Sequence, residues 1–151
     1  MSPTLPPPDP EPRAIPASAP HAGTGASANF GFLREPLPAR LGALAELHAL
    51  GDPNSSLLKS RQVAEALLQG AAARLGIPAG VEGSQLALIR ALEDDGILGG
   101  ELADVFHAIR KSGNAAAHRF GGTAADAVAV LRLARAAAVW YHQSFADPRF
   151  R

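Results

Sequence analysis

Between Glu101 and Gly122, in ELADVFHAIRKSGNAAAHRFGG, His107, Arg110, Asn114 and His118 follow one another at steps of three and four residues. That spacing lines side chains along one edge of an α-helix, while Leu102, Val105, Phe106 and Ile109 fill another face. A neutral imidazole exchanges protons near neutral pH, and a guanidinium holds a phosphate, so the stripe reads as a site that binds or cuts something phosphorylated. Arg110, Asn114 and His118 are the candidate catalytic set, with His118 as the proton-transfer group. The competing reading is structural: Asn114 and His118 hydrogen-bond loop backbone where Gly113 breaks the helix. Arg61 and Glu65, four apart on an earlier helix, can pair on its flank, or support Arg110 or His118 across a helix interface.

The charges narrow the partner. With 14 basic and 14 acidic residues the formal charge is zero, so the chain lacks the global positive field that nonspecific duplex binding uses. The charges are nevertheless segregated. Every charge from Glu93 to Asp104 is acidic, whereas Arg110, Lys111, Arg119, Arg132 and Arg135 stand against Asp126 alone in the following stretch. Arg110, Lys111 and Arg119 form the expected nucleic-acid-binding patch; the plainer reading is ordinary solvated helix faces.

Several chemistries are excluded. There is no cysteine, hence no disulfide or thiolate nucleophile. His107 and His118 are eleven residues apart, about 16 Å along a helix and too far to share an ion, so neither a metal nor any other cofactor is expected. No G-x-S-x-G elbow and no P-loop occurs. Glu93, Asp94 and Asp95 are adjacent rather than opposed, a solvated helix end. Trp140 and Tyr141 could stack on bases, but at helical spacing they read as packing residues.

The elements that must position this stripe are helical. Apolar residues make up 47% of the chain and aromatics only 5%, which implies a core built mainly from Ala and Leu. Eight of the 13 prolines lie within the first 20 residues. Residues 1–28 should therefore be a disordered Pro/Ala-rich tail with polyproline II character. Phe30, Phe32 and Leu33 form the first apolar cluster, with Phe30 and Phe32 the expected core plugs of a lead-in turn. Helices are predicted over Ala39–Leu50; from Asp52 and Pro53 to about Leu75; from a Ser84 cap to about Asp95; from Gly99–Gly100 through the polar stripe; and from a Thr123–Asp126 capping box to the Pro148 stop. The second should be the central core helix. Its expected apolar stripe is Leu57, Ala64, Leu68, Ala71 and Leu75, and that of the last helix is Ala127, Leu131, Ala134, Ala138, Tyr141 and Phe145. Sustained β-branched alternation is absent, so the expectation is an all-α antiparallel bundle of about five helices over residues 29–147, with 148–151 starting a linker or C-terminal tail. With no long apolar run, membrane association is not expected and the reading is cytoplasmic.

Arg110, Lys111, Gly113, Asn114 and His118 resemble the RK-x-G-N-x-x-x-H signature of an uncharacterised domain at the N-terminus of type I restriction endonuclease R subunits and related helicases, itself similar to the HEPN group. NFGFLRE over Asn29–Glu35, DPNSSLL over Asp52–Leu58, Arg61 with Glu65, and Trp140–Tyr141–His142 also resemble that family, so the likeness runs from about Asn29 to Arg151. It implies a HEPN-like bundle, a place in a defence system, and restriction or helicase subunits as partners. It also implies a longer polypeptide, from which this domain was excised or to which it is ancestral. In related ribonucleases an Arg stands four to six residues before the His and cleavage needs no metal. Here Gly113 occupies that region and Arg110 lies eight before His118, a departure from the pattern. Two functions follow as expectations. One is a noncatalytic module docking a protein or nucleic acid, RNA or DNA, with dimerisation through the Ala-rich last helix. The other is a metal-independent endoribonuclease.

Overall fold

The computed structural model describes residues 27–78 and 83–151. The predicted N-terminal tail, except its last two residues, lies outside the described residues, as does Gly80 in the break before the third helix. Five helices follow in order: α1 Pro36–His48, α2 Pro53–Leu75, α3 Gln85–Asp94, α4 Gly100–Arg119 and α5 Ala124–Phe145. No strand occurs among the described residues, and the expected all-α bundle is what forms. The central helix is α2, against which the other four pack.

Local chemistry sets most boundaries. Asp52 caps α2 by accepting the Ser55 N–H at 3.2 Å, with Pro53 in the first turn. Gly76 ends it at φ 67°, the left-handed geometry in which glycine is unstrained. Ser84 caps α3 through the Ala87 N–H at 3.2 Å. Thr123 and Asp126 complete a reciprocal capping box on α5. α1 departs from expectation, starting at Pro36 instead of Ala39 and ending at His48 instead of Leu50. The first four N–H groups of a helix have no intrahelical partner, so Pro36 and Pro38 fit inside the first turn.

The α2 core residues include Leu57, Val63, Ala64, Leu67, Leu68 and Ala71, facing Phe106 and Ile109 of α4 and Ala127, Ala134, Ala138 and Tyr141 of α5. Three expected stripe positions are displaced. Leu75 is 41% exposed at the end of α2, and Leu131 and Phe145 are only half-buried. Val130, Ala137 and His142 are buried in their place. Phe30 is fully buried, its ring occupying the space where a Cβ on Gly42 would stand. Ser27 and Asn29 hold Glu46 of α1 with their side chains. At the other end of α2, Arg74 Nη2 meets Glu35 Oε1 at 2.5 Å and its Nε donates to the Tyr141 hydroxyl at 3.1 Å. After α5 the chain turns back, and Phe150 packs 4.5 Å from Phe32 and 4.8 Å from His142, centroid to centroid.

Candidate functional site

α4 is a continuous helix through Ser112 and Gly113, so its register alone determines where the polar stripe points. Gly113 is buried against α2: a Cβ there would stand 2.5 Å from Cβ and 2.7 Å from Cδ of Arg61. The missing side chain is thus what lets the two helices approach, and the Arg61 stem lies across the bare α4 backbone. Arg61 and Glu65 form no ion pair in the structure. Glu65 instead lines a shallow groove with Leu37 and Leu41 of α1. The Nε of Arg61 is buried without a hydrogen-bond partner, and so is the Nε of Arg110, which stands one turn before Gly113.

Arg110, Asn114 and His118 are successive steps of four on this helix. Eight residues bring roughly 80° of rotation and about 12 Å of rise, so Arg110 and His118 diverge, with Asn114 between them. Arg110 is half-buried with its Nε shielded from solvent, whereas His118 is exposed at the end of the helix. His118 has no hydrogen bond or ion pair among the described residues; His107, a predicted member of the stripe, lies 3.8 Å from Glu93 of α3.

The structure does bring together Lys111, Asn114, His118 and Arg119, which with Ala115 line an open concavity of about 340 Å³ containing no acidic residue. Arg119 also lines a second, larger groove of about 450 Å³ between α4 and α5, shared with Leu57, Ala116, Val130 and Asp126. Asp126 does not pair with Arg119. Its carboxylate accepts from the Thr123 N–H at 2.9 Å and the Thr123 hydroxyl at 2.7 Å, bonds that hold its pKa below the ordinary carboxylate value. The basic groups at this end of α4 therefore face solvent with no carboxylate within ion-pair distance among the described residues.

Two participants escaped sequence reasoning. Asn54 accepts the Gly122 N–H at 3.0 Å and ties the α4–α5 loop to α2. A side chain on Gly122 would meet Leu57 at 2.6 Å, which explains the bare backbone there. Phe120 is the other. It ends α4 in left-handed geometry at φ 49° and is 80% exposed. The available signal was an aromatic residue directly after a basic helix end, one place before a glycine pair. Trp140, by contrast, is a packing residue, edge-on to Phe106 at 5.8 Å, and Tyr141 is buried. Among the described residues no cluster of three or more His, Cys, Asp or Glu could hold a metal ion.

Comparison with known proteins places this geometry in context. The model of a family described as a domain of unknown function (DUF4145) matches residues 45–138, from the last turn of α1 to the last third of α5. The type I restriction enzyme EcoKI endonuclease subunit of Escherichia coli (strain K12) is 32% identical over 117 residues, covering 76% of this chain and 10% of that protein. The chain thus spans about a tenth of the length of this curated relative. No solved structure matches it.

Proposed function

Because the chain belongs to the DUF4145 family, and resembles part of a type I restriction endonuclease subunit, we propose that it is a noncatalytic HEPN-like module of a restriction or helicase defence system that docks nucleic acid through the C-terminal end of α4. The observation that carries this reading is the acid-free concavity formed by Lys111, Asn114, His118 and Arg119. Two cations and two hydrogen-bonding side chains around one open hollow suit a phosphodiester backbone, which takes its contacts from Lys, Arg and Asn alike. Docking confined to this patch agrees with the zero formal charge of the whole chain. Restriction-enzyme subunits are the protein partners that the relative's name points to, and a second copy packed along α5 would double the binding surface.

The alternative, a metal-independent endoribonuclease, needs His118 and a guanidinium, that of Arg110 or of Arg119, on one phosphate. For Arg110, a separation from His118 of roughly 80° and about 12 Å on an unbroken helix weighs against it. Incubation of the pure protein with RNA and a chelator tests the choice. The expected outcome is intact RNA, together with binding in fluorescence anisotropy that weakens when Lys111 and Arg119 are both replaced by Ala. RNA cleavage that disappears in His118→Ala overturns the docking module in favour of the nuclease.

A further inference from the structure

Phe120 is 80% exposed, the largest exposure of any large apolar side chain among the described residues, and it is held at φ 49°. It is also the only non-glycine residue with positive φ among them. This is the helix-ending position for which glycine is the usual choice, because a Cβ is strained there. Glycines stand at the next two positions, so the chain places a bulky ring where glycine would serve and gains almost no burial in return. A strained residue that buries nothing points to a role outside folding.

The surroundings identify that role. His118 and Arg119 immediately precede the ring, and with Lys111 and Asn114 they line the acid-free concavity. An exposed aromatic face beside unpaired cations is the arrangement that holds single-stranded nucleic acid: the backbone tracks the cations and an unpaired base stacks on the ring. A duplex presents free base faces only at its ends, and reaching any other costs the unstacking of a base step, so the ring favours an unpaired strand. An apolar protein surface would also cover a phenyl ring, but the cations around it, free of carboxylate partners, favour a polyanion. We infer that Phe120 is the stacking platform for one unpaired base of a single-stranded nucleic acid whose flanking phosphates contact Arg119 and Lys111. This rests on the nucleic-acid docking reading above and names the form of nucleic acid that it takes.

The full chain is titrated at low salt, by fluorescence anisotropy, with a labelled single-stranded 12-mer, with the same strand carrying abasic sites, and with its duplex. Phe120→Gly removes the ring at a position where glycine is unstrained, so the fold is retained, which circular dichroism verifies. Loss of one stacked base lowers affinity for the single strand about 5- to 150-fold. Duplex binding stays unchanged, Phe120→Trp restores single-strand affinity and Phe120→Leu does not. The abasic strand should bind the wild type about as weakly as the intact strand binds Phe120→Gly. If Phe120→Gly binds the single strand like the wild type while the Lys111→Ala, Arg119→Ala double variant does not, stacking is overturned and docking survives. If the wild type binds neither strand nor duplex, both readings fall. A dimer that Phe120→Gly dissociates, with oligonucleotide affinity unaltered, overturns the proposal and assigns the ring to a protein contact.

Discussion

Gly113 shows how one missing side chain can serve packing at the expense of helix propensity. Replacing a helix-interior glycine by alanine ordinarily stabilises by about 0.5–1 kcal/mol. At Gly113 the added methyl would lie 2.5 Å from Arg61 Cβ, so the sign should reverse. Gly113→Ala is expected to cost about 1–3 kcal/mol through overpacking, read as a lower urea midpoint at unchanged slope. Combining it with Arg61→Ala should recover most of the loss, a coupling that identifies Arg61 as the obstructing group. In the sequence this glycine left open whether the helix runs through or breaks, because spacing records neighbours along one helix and carries nothing about a second helix lying across it. Arg110 and His118 illustrate the same limit. Their types were legible, but whether they converge depended on α4 passing unbroken through Gly113.

At the level of elements, the caps were readable because Asp52–Pro53, Ser84 and Thr123–Asp126 act within four residues of themselves. They also give the bundle a pH dependence. Ser55 lowers the Asp52 pKa and Thr123 lowers that of Asp126, in each case chiefly through a side-chain hydrogen bond. A carboxylate with a depressed folded-state pKa contributes stability above its unfolded value near 3.8 and loses it as pH falls through the lower folded value. Thermal melts between pH 6 and about pH 2 should therefore show an acid-induced drop. In Asp126→Asn the drop should be shallower, since one of the two linked protons is gone. Tyr141 behaves oppositely. Burial is the main cause that pushes its pKa above the ordinary 10.0, so its contribution is complete below that value and declines as pH rises through the folded one. Tyr141→Phe keeps the ring but removes the bonds to Arg74 and Glu35, and should cost about 1 kcal/mol in chemical denaturation. That tie spans 106 residues between Glu35 and Tyr141, and no local pattern announces it.

For the whole molecule, a neutral chain that offers a polyanion Lys111 and Arg119 should bind it weakly and with a shallow salt dependence. Two phosphate contacts, from Lys111 and Arg119, imply a slope of log K against log salt of about −1.4 for a single strand. Anisotropy titrations from 50 to about 200 mM salt measure it, and a slope several times steeper would show that the contact surface extends far beyond α4. Stability resides elsewhere, in the α2 layer. Leu67 is fully buried, so Leu67→Ala should cost about 2–5 kcal/mol while leaving the affinity of the folded fraction unchanged. Binding and folding can thus be perturbed separately, because the cations stand on solvent and the core does not reach them.

Helix content, the order of the five elements, the central place of α2 and most of the caps were determined by the sequence itself. Each depends on interactions between residues a few positions apart or on an apolar stripe repeating every turn. Tertiary structure decided which helix faces are covered and which stay open. It set the Arg61 stem across Gly113, shielded the Arg110 Nε from solvent, and left uncovered the α4 face on which Lys111, Asn114, His118 and Arg119 stand, with Phe120 exposed beside them. Those outcomes follow from the register and close approach of α2 and α4, and that contact joins residues some fifty positions apart, beyond the reach of any helical period.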